Sequence, residues 1–328
     1  MRRREFITLL GSAAASWPLA ARAQQGDRVR RVGALMPFAE TDRGGLRAIQ
    51  SFREGLADLG WIEGRNLRID VGWAGGPDAA AQRSHARDLA ALAPEVILAS
   101  GTIATQALRD ATRAIPIIFV GLFDPVATGI VSNLARPEAN VTGLMNYEHS
   151  MAGKLLSLLK DVAPRLARVA LLFHRETISA PSYVPTAQDA GEMLSLKVTA
   201  AVVPDVAAIE PAIAAMSGDG GLVIFPDGFN VANRATIIAL AAKHRVPAIY
   251  TGRYNVVDGG LMSYGAEILV AFRDGATYVD RILRGARPGE LPVQFATKFD
   301  LVINLKTAKA LGLELPPTLL AVADEVIE

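Results

Sequence analysis

The chain has no cysteine among its 328 residues, and aromatic residues make up only 6% of it. Without cysteine there can be no disulfide framework, no thiolate metal ligand and no thiol nucleophile. The four histidines, His85, His149, His174 and His244, are scattered with no His-x-x-x-His pair, so metal catalysis and a structural zinc site are not expected. No Gly-x-Ser-x-Gly elbow is present, and neither is a Walker loop or a Gly-x-Gly-x-x-Gly turn. Serine hydrolysis and nucleotide binding are therefore unsupported, and no cofactor is expected. Repeats of 20–50 residues and low-complexity tracts are missing as well. The core must be built from Ala, Val, Leu and Ile.

The formal charge is only +1, and much of the positive charge sits at the start. "MRRREFI" opens a charged segment, Phe6 to Ala21 is a short apolar run broken by Pro18, and Ala21-Arg22-Ala23 supplies small residues for a signal peptidase. The run is too short for a bilayer core of about 30 Å. Arg3-Arg4-Glu5-Phe6-Ile7 matches a twin-arginine pattern. Residues 1–23 are thus expected to be an export leader, and without its four Arg and one Glu the charge becomes −2. That balance offers nucleic acid no basic surface. With no lipid-acceptor cysteine after the leader, the expected product is a soluble periplasmic protein.

Beyond the leader, short apolar runs alternate with helix-length amphipathic segments. Strands are expected at "RVGALMP" (31–37), "NLRIDVGWA" (66–74), "EVILASG" (95–101), "PIIFVG" (116–121) and "NVTGL" (140–144). Helical patterns fill 44–60, 77–93 and 102–114. The pattern restarts with "RVALLFH" (168–174), "KVTAAVVP" (197–204), "GLVIFPD" (221–227) and "PAIYTG" (247–252), again with helices between. Nearly continuous apolar strands point to parallel sheets covered on both faces. Two doubly wound α/β lobes follow. The C-terminal elements exceed what the second lobe needs, so the chain is expected to cross between lobes three times, near 144–149, 253–263 and 292–303. The expected division is 28–145 plus about 262–292 for one lobe, and 146–261 plus about 293–328 for the other. Such a pair forms a cleft at the C-terminal strand ends, with a hinge.

Candidate ligand residues were sought at those strand ends. The first lobe offers Phe38, Ser100, Gly101, Thr102, Phe123 and Asp124; the second offers Arg175, Asp227 and Tyr250. Asn146 and Tyr264 lie at the expected crossings. Each residue taken singly could be a turn or cap; their convergence on one edge of each sheet points to a binding cleft. In "ASGTIATQALRD" (99–110), Gly101 lets the backbone come close, while Thr102 and Thr105 flank a helix start whose N–H groups favour an anion. With no Lys or Arg in that turn, a carboxylate suits it better than a phosphate. Asp227 could take an α-ammonium, and Phe38, Phe123, Phe225, Tyr250 and Tyr264 an apolar or aromatic group.

Several stretches resemble the solute-binding proteins of bacterial ABC importers, in particular the tryptophan/tyrosine-type branch. They include "FREGLADLGWIEGRNLRIDVGWA", "IPIIFVGLFDPVATGIVSNLARPEANVTGL", "AAKHRVPAIYTGRYNVVDGGLMSYG" and the C-terminal block from "YVDRILRGARPGELP" onward. The resemblance runs from about Arg30 to Glu328. It implies a type I periplasmic-binding fold, a ligand held between two lobes joined by three crossings, no chemistry on the ligand, and an inner-membrane ABC permease as partner. Gly101-Thr102-Ile103-Ala104-Thr105 stands where the family commonly reads Gly-Thr-Pro-Ala-Ala. "HRETISAPSYVP" (174–185) stands where an Asn-Pro-rich stretch is common. The expected ligand is an apolar or aromatic amino acid. Two alternatives stay open: a cleft for aromatic or other organic acids, and a periplasmic sensor that reports to a membrane receptor.

Overall fold

The protein is described here by a computed structural model covering residues 29–328 except 77, 138, 178 and 297. The leader expected at residues 1–23 lies outside the described residues. The chain first lays down β1 (Arg30–Met36), β2 (Leu67–Trp73), β3 (Val96–Ser100), β4 (Ile117–Phe123) and β5 (Val141–Tyr147). These pair in parallel in the order β5-β4-β3-β1-β2. Successive residues face opposite sides. Val32 and Ala34 therefore meet Phe52, Leu56, Phe272 and Ala276 on one face. Leu35 meets Leu89, Ile97 and Leu108 on the other. Helices Arg43–Asp58 and Ile268–Leu283 cover the first face; Ala79–Ala91 and Thr102–Ala111 cover the second.

After helix Met151–Val162 come β6 (Arg168–His174), β7 (Lys197–Val203), β8 (Gly220–Ile224), β9 (Ala248–Tyr250) and β10 (Met262–Ala266). These strands form the second sheet, also covered on both faces. The chain then returns to the first lobe through helix Ile268–Leu283, and β11 (Gln294–Phe295) pairs beside β5. Finally β12 (Phe299–Asn304) and β13 (Glu325–Ile327) join the second sheet, β12 running antiparallel to β10. The result is an α/β architecture of two doubly wound lobes.

Three segments link the lobes: residues 148–150, Glu267 and the connection from β11 to β12. The middle link differs from the sequence expectation. Residues 253–263 do not cross; they form helix Arg253–Val257 and the start of β10, both within the second lobe. The Asn, Asp and Gly cluster there is a helix stop: Gly259 takes φ +107° and Gly260 donates to the Asn255 carbonyl. The boundary expected near 262 therefore falls at the edge of a strand in the second sheet, and the crossing comes at Glu267.

One join between the lobes is aromatic. Phe123 ends β4 of the first sheet, yet its ring packs edge-on against Tyr183 at 5.1 Å and Phe225 at 5.2 Å in the second lobe's core. His149, in the first crossing, sits 5.0 Å from it.

Candidate functional site

The C-terminal strand ends of both sheets face one cleft of about 430 Å³. Several helix starts line it. Three bring their own side-chain caps: Asp42 accepts from Gly45 N, Asp227 from Asn230 N, and Glu267 from Leu269 N. The helix beginning at Thr102 has none, because its N-cap position is Gly101. Gly101 takes φ +84°, a conformation that favours glycine, and no atom lies within 4 Å of where a Cβ would stand. A helix end leaves N–H groups without intrahelical partners. Here they open beside Ser100 and Thr102 onto the cleft. Gly252 likewise brings no cap to the short helix Arg253–Val257.

Asp227 is buried, and burial pushes its carboxyl above the usual carboxylate range. Three donors oppose that shift. Oδ1 accepts from Asn230 N at 2.7 Å, while Oδ2 accepts from His174 N and the Thr177 hydroxyl, both at 2.9 Å. The carboxylate thus ties β6, the loop after it and helix Gly228–Ala232 into one wall of the cleft.

Six of the sequence candidates line the cleft: Phe38, Ser100, Gly101, Thr102, Phe123 and Asp227. The others are placed elsewhere. Thr105 is fully buried, and its hydroxyl donates back to the Gly101 carbonyl at 2.8 Å, one helical turn away. Asp124 caps a turn by accepting from Ala127 N at 2.9 Å. Asn146 and Tyr264 each sit one residue from a lining residue, Tyr147 and Gly265, and strand alternation turns them to the opposite side. Tyr264 instead stacks on Phe299 at 5.9 Å. Arg175 is exposed, while its neighbours His174 and Glu176 line the cleft. Tyr250 is buried in the second lobe's core, where desolvation pushes its hydroxyl far upward.

Other lining residues were not among the sequence candidates. Arg43 and Arg47 reach the cleft from helix Arg43–Asp58, so positive charge missing from the Ser100–Thr105 turn is supplied by a different element. Tyr147, Phe229 and Tyr254 add aromatic surface. Burial raises the Tyr147 hydroxyl, an effect partly offset by its hydrogen bond to Thr251. Gln82 is buried on helix Ala79–Ala91; its Nε2 donates to the Gly76 carbonyl at 3.2 Å, and its Oε1 has no partner. A rule of searching loops after strand ends would have found Asp42 and Tyr147. Nothing local marks Arg234, which reads as one more polar residue in a helix.

Two chemical alternatives can be checked on the geometry. Among the described residues no cluster of three or more His, Cys, Asp or Glu side chains could hold a metal. His149, Ser182 and Asp124 come together, but Ser182 Oγ at 3.4 Å and Asp124 Oδ2 at 3.5 Å both approach the same ring nitrogen, Nε2. A proton relay needs the two partners on opposite nitrogens. No helix among the described residues is long and apolar enough to cross a membrane.

The family described as ABC transporter substrate binding protein matches residues 38–327, and the chain belongs to it. A curated relative from Clostridioides difficile strain R20291, named tyrosine-binding protein, is 25% identical over 270 residues, 82% of this chain and 77% of the relative. The crystal structure of a conserved domain protein from Vibrio cholerae is 28% identical, covering 91% of this chain and all of that one, with a TM-score of 0.84. A Streptococcus pneumoniae ABC domain solved in complex with L-Trp is 23% identical over the same coverage, also with a TM-score of 0.84. These likenesses identify the fold as that of type I periplasmic binding proteins.

Proposed function

For this ABC transporter substrate-binding protein, we propose that the cleft takes a free amino acid with an aromatic or large apolar side chain. The observation that carries the reading is the uncapped helix start at Gly101–Thr102, open to the cleft beside Ser100. A single carboxylate matches the partial positive charge and free N–H groups of such an end. The α-ammonium would face Asp227 on the opposite lobe, and the side chain would lie among Phe38, Phe123, Tyr147, Phe229 and Tyr254. The names of the Clostridioides difficile relative and the L-Trp-bound Streptococcus pneumoniae structure agree with such a ligand. The twin-arginine leader directs the protein to the periplasm. There the loaded form delivers its ligand to an inner-membrane permease, without chemistry on the ligand.

A second reading has its own support. Asp227 already holds three donors, which favours a ligand that lacks an ammonium, such as an aryl carboxylic acid. A thermal-shift screen of the mature chain separates the two. L-tryptophan, L-tyrosine and L-phenylalanine should raise the melting temperature in proportion to the logarithm of their concentration above Kd. Shifts with indole-3-acetate or 4-hydroxyphenylacetate, and none with the amino acids, would replace the first reading by the second.

A further inference from the structure

Arg234 is the first residue of helix Arg234–Lys243. A cation there faces the positive end of the helix dipole, which disfavours it. Its position must be stabilised by something other than its own helix. The guanidinium gives Nε to Asp258 Oδ2 at 2.8 Å within the second lobe. Nη2 lies 3.0 Å from Asp42 Oδ2, on the first lobe. The guanidinium also rests 5.8 Å from the centre of the Tyr254 ring. Asp42 is itself fixed, since its other oxygen caps helix Arg43–Asp58 through Gly45 N at 2.9 Å. The Asp42 and Arg234 side chains are only 15% and 21% exposed, so solvent and salt screen this pair less than an open surface pair.

Both residues line the cleft, and they start helices on opposite lobes. We propose that the Asp42–Arg234 ion pair is an interlobe latch: it forms when the lobes come together and slows the release of whatever the cleft holds. Opening the hinge separates the two charges, while Asp258 stays with Arg234 and keeps the guanidinium aimed at the gap. The latch therefore biases the closed form without requiring contact with the ligand. It regulates the cleft whose ligand is proposed above, but its existence does not depend on which ligand that is.

The test uses the mature chain with thiol spin labels at Gln50→Cys and Ala239→Cys, exposed positions on the two helices concerned. With no native cysteine, both labels are unique. Pulsed dipolar distances in the ligand-free protein should contain a short, closed component that shrinks from 50 to 500 mM NaCl. Asp42→Asn should shrink it at low salt, because asparagine keeps the helix cap but removes the charge. The dissociation rate of L-tryptophan should rise about three- to tenfold in Asp42→Asn and in Arg234→Gln. The double variant should be no worse than either single one. Unchanged distances and rates in Asp42→Asn, or fully additive effects in the double variant, would overturn the latch. A wild-type chain that does not bind L-tryptophan counts against the ligand reading alone, and the distance measurement still decides the latch.

Discussion

Asp227 illustrates how a single side chain can serve both structure and ligand. Its three donors oppose a burial that pushes the carboxyl above the usual carboxylate range. Removing the carboxylate leaves His174 N, Asn230 N and the Thr177 hydroxyl to find new partners in a half-buried wall. Asp227→Asn keeps one acceptor oxygen and removes the charge. If the charge faces an ammonium, the variant should weaken L-tryptophan at least tenfold more than its des-amino analogue indole-3-propionate, measured by titration calorimetry. Equal losses would mean that Asp227 only shapes the wall. Of the residues that sequence reasoning placed near strand ends, Asp227, Phe38, Phe123 and the Ser100–Thr102 turn line the cleft, while Asn146 and Tyr264 lie one residue from a lining position. Apolar strand sequences buried on both faces carry no alternation to mark which side meets the cleft.

At the scale of elements, one close contact joins two helices that are far apart in sequence. Helix Arg43–Asp58 crosses helix Ile268–Leu283 at Gly55, where a Cβ would stand 2.9 Å from that of Ala276 and 3.0 Å from the Arg273 carbonyl. In an open helix, Gly→Ala would stabilise by about 1 kcal/mol. Here the overpacking cost of about 1–3 kcal/mol outweighs that gain. Gly55→Ala should therefore destabilise the protein, with a urea midpoint below that of the wild type. A midpoint above it would show that the helices separate at little cost. Of these two helices, the sequence revealed the first as a periodic pattern over 44–60. It could not reveal that they touch, since the contact spans more than 200 residues and depends on the chain's return to the first lobe. The misplaced middle crossing has a similar cause. A Gly-rich turn looks the same whether it ends a helix or leaves a lobe, and only the pairing of β10 with β9 and β12 decides between them.

For the molecule as a whole, the two lobes share more than three chain crossings. Phe123 carries the first lobe's central strand end into the second lobe's core, against Tyr183, Phe225 and His149. Truncating it to alanine should cost about 3–5 kcal/mol. Because the lost contacts join the lobes, Phe123→Ala should also split thermal unfolding into two calorimetric transitions where the wild type shows one. A single transition at lower temperature would place the ring's contribution within one lobe. The amino-acid sequence by itself determined the α/β class, the repeated strand–helix units, the two lobes and the helix start that follows Gly101. All of these follow from local periodicity and from turn chemistry within a few residues. Only the tertiary structure decided where the chain changes lobes, which face of each strand meets the cleft, and that Asp42 and Arg234 face one another across it. Those outcomes depend on how distant segments pack together, and local residue patterns do not encode that packing.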